Sequence, residues 1–353
     1  MKVAIVYNIS EADIESISRP AVPSEISFEP YYDIEYNSSS PLESYGDMAR
    51  ALSKCGYEAY TLNIFDDFNR FLSDYDENRP DVIFNLVEMY NGAPALEMSF
   101  ACFLELLKIP YTGAPPLALG TCQRKILTKR ILASLGIGTP AFYIVNEPGD
   151  LKNIHLRYPM IVKPSQEDAS IGIENSSVVY NFEQLRTRTE YMLENFRQQI
   201  LIEEFIDGRE FNLSVIGGRR PRALPISEVD FSRMPQDLHR IVSYQAKWDP
   251  YDPAYHSTVP VCPAKLDTEI EIMAKQTAVR AFTELGCRDY ARVDMRLGRD
   301  NKLYILEVNP NPDLTEGAGF MRSSRTAGYS FRRTLKKIVD MAYARGQKLL
   351  LQQ

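Results

Sequence analysis

The chain has 353 residues, of which 40 are Lys or Arg and 47 are Asp or Glu, so its formal net charge is −7. A hydrophobic fraction of 44% supplies enough apolar side chains for two or three packed domains. The acidic balance argues against sequence-independent nucleic-acid binding, and no apolar run is long enough to cross a membrane. Five scattered cysteines, and an N terminus that enters a strand-like run directly, predict a cytoplasmic protein with free thiols.

Residues 1–116 predict a parallel α/β domain, because strand-like and helix-like runs alternate along them. The predicted elements are strands at 3–7, 57–62 and 81–86 and helices at 48–55 and 96–107. Between them, residues 8–42 are rich in Ser, Pro, Glu and Tyr and lack periodicity. Loops of this length are usually functional or disordered, so a substrate lid, a dimer arm and a plain surface insertion all remain open for this segment.

The rest of the chain predicts two further domains, at residues 117–202 and 203–353. The central one has a helix at 123–135 and a strand at 160–163. The C-terminal one has a helix at 270–285, a hairpin and a closing helix after Ser330. Strands and helices are less regularly ordered here, which predicts an α+β arrangement in this part.

The strongest local pattern is a β-hairpin at residues 291–309. Two alternating runs, 291–297 and 303–309, flank the turn-forming sequence Gly-Arg-Asp-Asn. We expect Leu297 to face Tyr304 across the hairpin.

This register places four polar side chains on one face of the hairpin. Asp294 then lies opposite Glu307, and Arg292 lies opposite Asn309. Two carboxylates in direct opposition repel each other, unless a hard cation such as Mg²⁺ lies between them. The alternative is a solvated hairpin face in which Arg292 forms an ion pair of little energetic weight.

The residues after the second strand favour the metal site. Asn309 is followed by Pro310-Asn311-Pro312, and the two prolines stiffen the chain beside the predicted ligands. Gly317 and Gly319 then permit close approach of the backbone to a ligand.

Several segments in this order resemble the ATP-grasp superfamily, and specifically the D-alanine–D-alanine ligase family. The resemblance rests on Ile161-Val162-Lys163-Pro164, on the segment 201–210 (LIEEFIDGRE) and on the polar hairpin. It extends from Val3 to about Gly328 and implies a three-part ATP-grasp architecture with an N-terminal parallel α/β domain. A homodimer is what the family leads us to expect.

The resemblance also implies the roles of individual residues. Asp294, Glu307 and Asn309 would hold Mg²⁺, while Arg292 would stabilise the acyl phosphate and the tetrahedral intermediate. Lys247 would reach the γ-phosphate from a mobile loop. The residues implied in ATP binding are Lys125, Lys163, Ser170 of a phosphate-covering loop (165–172), Glu203 and Ile206 at the adenine, Glu210 at the ribose, and Lys247.

These residues imply ATP- and Mg²⁺-dependent joining of a carboxylate to an amine. A carboxylate is a poor electrophile, so phosphoryl transfer must first activate it, and positioning and charge neutralisation dominate such transfers. The expected products are an amide, ADP and phosphate.

The substrate side departs from the family pattern. Ala169 and Trp248 stand where the family has a serine and a tyrosine, and Glu11 is a loose match for an early glutamate. Segment 88–97 replaces a His-Gly and acidic-Gly segment, and Asp313 replaces a glycine beside the second substrate. Asp313 either favours a cationic acceptor or fixes a turn, and Trp248 is either a substrate wall or a buried anchor.

We therefore expect a carboxylate–amine ligase whose small-molecule substrates are amino acids or a small peptide. The alternatives are a true D-alanine–D-alanine ligase, a small-molecule phosphotransferase with the same ATP site, and a non-catalytic nucleotide-binding protein. The last is disfavoured because Arg292, a residue needed for the transition state, is retained.

Overall fold

A computed structural model describes residues 1–10 and 41–350 of the chain. Most of segment 8–42, including Glu11, lies outside the described residues. The described strands are β1 (Lys2–Tyr7), β2 (Glu58–Asn63), β3 (Val82–Leu86), β4 (Phe142–Val145), β5 (Met160–Pro164), β6 (Val178–Val179), β7 (Ile200–Glu204), β8 (Gly208–Gly217), β9 (Arg222–Ala223), β10 (Ser227–Asp230), β11 (Val259–Val261), β12 (Asp289–Gly298) and β13 (Leu303–Asn309).

The helices cover the faces of these sheets. They are α1 (Pro41–Ser53), α2 (Phe68–Asn78), α3 (Glu97–Leu106), α4 (Pro116–Gln123), α5 (Lys125–Ser134), α6 (Phe182–Phe196), α7 (Tyr244–Trp248), α8 (Pro253–His256), α9 (Thr268–Glu284), α10 (Gly319–Thr326) and α11 (Phe331–Leu350). None of the helices in the described ranges is long and apolar enough to cross a membrane.

The N-terminal strands form a parallel sheet in the order β2-β1-β3. Strands β1 and β3 are almost entirely buried because both faces of the sheet are covered there: one core includes residues of α2 and α3, and the other includes residues of α1 and the closing helix α11. The alternation of strands and helices in residues 1–116 is thus confirmed as a parallel α/β unit.

Two antiparallel sheets make up the rest of the fold. One has the order β4-β7-β5-β6 and packs against α6. The other has the order β11-β10-β8-β12-β13, with β9 paired to β8, and packs against α9. The predicted α/β class with an α+β C-terminal part agrees with these sheets.

The helix predicted at 48–55 begins earlier, at Pro41, and ends at Ser53. A second difference in the helices bears on the site. The expected helix at 123–135 is divided, because Gln123 ends α4 and Arg124 has a non-helical backbone (φ −86°, ψ 87°). Lys125 therefore lies at the first position of α5, which directs it toward the space between the two antiparallel sheets.

The far end of the hairpin also differs. Leu297 pairs with Leu303 rather than with Tyr304, because β13 has one extra residue opposite the junction of Asp294 and Met295. This β-bulge shifts the register only on the turn side. The predicted pairs Asp294–Glu307 and Arg292–Asn309 are confirmed.

Candidate active site

The polar face of the β12–β13 hairpin forms the floor of a cleft. Both carboxylate oxygens of Asp294 accept hydrogen bonds from Arg292, at 2.8 Å from Nε and 2.8 Å from Nη2. Asn212 of the neighbouring strand β8 donates a further bond of 2.7 Å to Asp294. Because three donors converge on it, the Asp294 carboxylate is fixed in one orientation.

Glu307 lies beside this pair, and its side chain is held by two loose ion pairs. Its oxygens are 3.8 Å from Arg292 Nη2 and 3.8 Å from Lys125 Nζ, and no hydrogen bond to Glu307 occurs among the described residues. Burial acts to raise the pKa of Glu307, but the charges of Lys125 and Arg292 outweigh burial and lower it. Glu307 is thus an ionised carboxylate with lone pairs available to a ligand.

The donor set fits a hard divalent cation. Asp294 and Glu307 supply carboxylate oxygens, and Asn309 supplies an amide oxygen that is oriented by the backbone N–H of Asn311 at 2.9 Å. Mg²⁺ is usually bound by one or two carboxylates together with phosphates and water. In the described ranges no group of three or more His, Cys, Asp or Glu side chains is placed to hold a metal ion.

Three lysines approach the hairpin from the central part of the chain. Lys125 contacts Asp168 at 3.0 Å. Lys163 contacts the buried Glu203 at 2.8 Å, and Lys129 forms a second ion pair with the same carboxylate. Glu203, which was predicted at the adenine, therefore lies between two lysines, and their charges hold its pKa at about 2 despite its burial.

The loop at 165–172 adopts an unusual backbone conformation. Ala169 and Ser170 both have positive φ (54° and 62°), which is uncommon outside glycine and asparagine. Ser170 Oγ donates a hydrogen bond of 2.8 Å to the Val242 carbonyl. Trp248 donates from its indole nitrogen to the Ala169 carbonyl at 2.8 Å, so the loop is linked to the segment that contains Lys247.

Trp248 is not a buried anchor, because 53% of its surface is exposed. Lys247 is next to it, with Nζ 5.4 Å from the centre of the indole ring. Partial desolvation and the Arg292 guanidinium lower the pKa of Lys247. Lys247 lies close enough to Arg292, Asp294 and Glu307 for their charges to act on its ammonium, while contacts of Lys247 or Trp248 with ATP or substrate remain predictions.

At the predicted adenine and ribose end, the structure places an arginine. Arg296 donates to Glu210 Oε2 at 2.9 Å from Nε and 2.7 Å from Nη2, and to the Ile206 carbonyl at 2.8 Å. Glu210 and Arg296 are both buried. Ribose binding by Glu210 remains a prediction, and any such contact must share the carboxylate with Arg296.

Three acidic side chains, Glu88, Glu97 and Asp313, lie near one another, because the charge of Asp313 acts on Glu88 and that of Glu88 acts on Glu97. Asp313 accepts hydrogen bonds from the Thr315 N–H and hydroxyl at 2.8 and 3.1 Å, so it does stabilise a turn. Its charge also helps to raise the pKa of Glu88 to about 7, although desolvation contributes more to that shift. Asp313 thus has the turn role that the sequence offered as one alternative, and a preference for a cationic acceptor stays a prediction.

Several residues of this site were not found by sequence reasoning. Lys129 follows Lys125 by one helical turn, and that spacing was a usable signal. Arg296 continues the alternation of Arg292 and Asp294 on the same face of β12. Asn212, Glu97 and Asn311 had no comparable signal, because their partners are distant in the sequence.

Comparisons with known proteins agree with this geometry. The family model "D-ala D-ala ligase C-terminus" matches residues 131–340. An uncharacterized protein of Sinorhizobium fredii, y4sG, is 30% identical over 84% of this chain and 86% of its own length. The D-alanine–D-alanine ligase of Bordetella pertussis is 32% identical over 80% of this chain and 83% of its own. A crystal structure of D-alanine–D-alanine ligase from Bacillus anthracis complexed with ATP covers 99% of both chains with a TM-score of 0.69 and 21% identity, which supports the fold.

The predicted resemblance is confirmed by the family model and by these relatives. The chain belongs to the D-alanine–D-alanine ligase family, and it is an ATP-dependent, ADP-forming ligase of carbon–nitrogen bonds.

Proposed function

We propose that the protein joins an amino acid or small peptide to an amine through an acyl phosphate, in a reaction that requires Mg²⁺. The observation that carries this proposal is the arrangement of Arg292, Asp294, Glu307 and Asn309 on one face of the β12–β13 hairpin. A metal site, a positive guanidinium and a lysine-rich wall are what phosphoryl transfer to a carboxylate needs.

In this proposal the cationic side chains neutralise phosphate charge. Lys125, Lys163 and Lys247 all lie close enough to Glu307 for their charges to lower its pKa, so a triphosphate beside Glu307 would meet positive charge from three side chains. Asp294, Glu307 and Asn309 would hold the metal, which screens the phosphate oxygens when bound. The carboxylate oxygen of the first substrate attacks the γ-phosphorus, and ADP leaves.

Arg292 would act in the second half of the reaction. Negative charge develops on the acyl oxygen when the amine attacks, and a fixed donor aimed at that oxygen lowers the barrier. The bond between the acyl carbon and the phosphate oxygen then breaks, and inorganic phosphate leaves. Loop 165–172, tied to Trp248, would exclude water that hydrolyses the acyl phosphate.

The test is ADP release with ATP, Mg²⁺ and separate pools of D-amino acids, L-amino acids and small carboxylic acids. We expect release that requires both a carboxylate and an amine. Release with D-alanine alone in a separate well would identify a true D-alanine–D-alanine ligase. Release with a carboxylate or another acceptor and no amine would favour a phosphotransferase and contradict the proposal.

The single Trp offers a direct signal of nucleotide binding. Because Trp248 is half exposed and its partner Ala169 lies in the phosphate-covering loop, we expect ATP with Mg²⁺ to change its fluorescence intensity or emission maximum. The measurement is a fluorescence titration beside calorimetry on the same sample. Calorimetric binding of ATP without any change in fluorescence would show that Trp248 does not face the nucleotide site.

Replacing Asp313 with Asn should change which amines are accepted. The Asn side chain keeps an oxygen for the Thr315 N–H but removes the charge beside Glu88. We expect the preference for cationic over neutral acceptors to fall by about tenfold, the size of a modest charge interaction. Unaltered preference in Asp313→Asn, with a change only in Asp313→Gly, would show that Asp313 serves the turn alone.

A further inference from the structure

Glu97, in the N-terminal part of the chain, is held in the cleft by a hydrogen bond from Asn311 in the C-terminal part. It lies at the first position of α3, and it lines the same cleft as Lys125, Glu307 and Asn309. Its carboxylate Oε1 accepts a hydrogen bond of 3.1 Å from Asn311 Nδ2. The side chain is therefore held near the predicted metal ligands and not in open solvent.

Asn311 is itself fixed by two further contacts. Its amide oxygen accepts a bond of 3.0 Å from the hydroxyl of the fully buried Tyr290 on β12. Its backbone N–H donates to Asn309 at 2.9 Å. The amide oxygen of Asn311 accepts from Tyr290, so its amide nitrogen points toward Glu97. These two contacts fix the orientation of the Asn311 side chain.

The Glu97 carboxylate has no cationic partner among the described residues. The ion pairs of the cleft use Asp168, Glu203, Asp294 and Glu307 instead. Burial is the main cause that raises the pKa of Glu97, to about 8, while Asn311 acts in the opposite direction. A half-buried carboxyl group without a counter-ion, beside the place where an acyl phosphate forms, is suited to a cationic ligand, because the charge of that ligand favours the ionised form of Glu97.

We infer that Glu97 binds the ammonium group of the amine substrate and accepts its proton, and that Asn311 is the positioning residue that holds Glu97 in place. The inference rests on the proposed ligase function. One N–H proton passes to the Glu97 carboxylate, the freed nitrogen lone pair attacks the acyl carbon, and the carbon–oxygen bond to phosphate breaks. A second N–H proton leaves the nitrogen with the departing phosphate, which gives the neutral amide. Inorganic phosphate is the leaving group, so no further reactant is needed.

Hydroxylamine separates this role from a structural one. It is mainly uncharged above neutral pH, so it attacks an acyl phosphate without an ammonium site or a proton acceptor and yields a hydroxamate and phosphate. The probes are D-alanine and an equimolar pool of L-amino acids, each supplied with ATP and Mg²⁺, with and without hydroxylamine. Peptide and hydroxamate are quantified separately.

For Glu97→Gln we expect peptide formation to fall by at least about tenfold, while hydroxamate formation stays within about twofold of wild type. The glutamine keeps an oxygen for Asn311, so the fold should be retained. Glu77→Gln, the same change at an exposed position of α2, should leave both products unchanged. Asn311→Ala should lower peptide more than hydroxamate.

Each other outcome overturns a definite part of the inference. Equal losses of peptide and hydroxamate in Glu97→Gln would show that Glu97 supports activation of the carboxylate or the fold. Unchanged peptide formation would remove Glu97 from the reaction. Equal losses in Asn311→Ala alone would assign Asn311 to the metal site. Wild-type protein that makes neither product with either probe, despite binding ATP, would overturn the proposed function and the inference with it.

Discussion

Replacing Glu307 with Gln is expected to reduce Mg²⁺-dependent ADP release by about a hundred- to a thousandfold, because removal of one fixed electrostatic group from an active site has effects of this size. Glu307 faces Asp294 across the hairpin and accepts no hydrogen bond from the described residues. Its proposed work is to supply one carboxylate to the cation. An amide oxygen of the same shape carries no net charge and binds Mg²⁺ more weakly.

The variant should remain folded, because it loses only ion-pair contacts of 3.8 Å. The measurement is ADP release against Mg²⁺ concentration, with circular dichroism and thermal unfolding on the same samples. Glu316→Gln, an exposed residue of the following loop, provides the same chemical change away from the cleft and should retain full activity. Wild-type turnover in Glu307→Gln would exclude the metal assignment.

The hairpin shows why part of the site could be predicted. Alternation within two strands joined by a turn is a local pattern, and it gave the correct opposition of Asp294 and Glu307. The β-bulge on the turn side was not predictable, since nothing in residues 303–307 distinguishes a regular strand from one with an extra residue. The wrong register at the turn does not affect the predicted pairs of the site, because the bulge lies between Asp294 and the turn.

Residues that meet across domains escaped prediction for a different reason. Asn311 and Glu97 are 214 positions apart, and no local sequence pattern of either residue indicates that the two are in contact. The helix α2 was missed because it is largely polar, with Phe71 as its buried residue. Its place in the fold is set by packing on the parallel sheet and not by a strong periodic signal of its own.

The family resemblance and the local physics supply different information. Short segments such as Ile161-Val162-Lys163-Pro164 identified the family, which the comparisons confirm. They imply an adenine contact for Glu203, which stays a prediction, and the structure adds that its carboxylate lies between Lys129 and Lys163. A family match therefore suggests a ligand contact for a residue, while the ion pairs in the structure show which other side chains that residue also stabilises.

The second large effect concerns this buried ion-pair cluster. Glu203 and Lys129 are each 1% exposed, so replacing Glu203 with Gln leaves a lysine charge buried without its counter-ion. Removal of one partner from a buried pair costs about 3–5 kcal/mol. We expect the free energy of unfolding of Glu203→Gln to fall by about that amount in urea denaturation at neutral pH. Glu271→Gln, which removes the exposed pair with Lys275, should cost about 0.5 kcal/mol or less.

The pH dependence of this difference provides a separate check. The pKa of Glu203 is lowered from 4.5 to about 2 in the folded protein. A depressed pKa stabilises the folded state above the unfolded-state value, and this contribution is lost as the pH falls toward the folded-state value. The stability difference between wild type and Glu203→Gln should therefore be constant above about pH 5 and shrink between there and pH 2. A difference that does not change over this range would mean that Glu203 acts through packing and not through its charge.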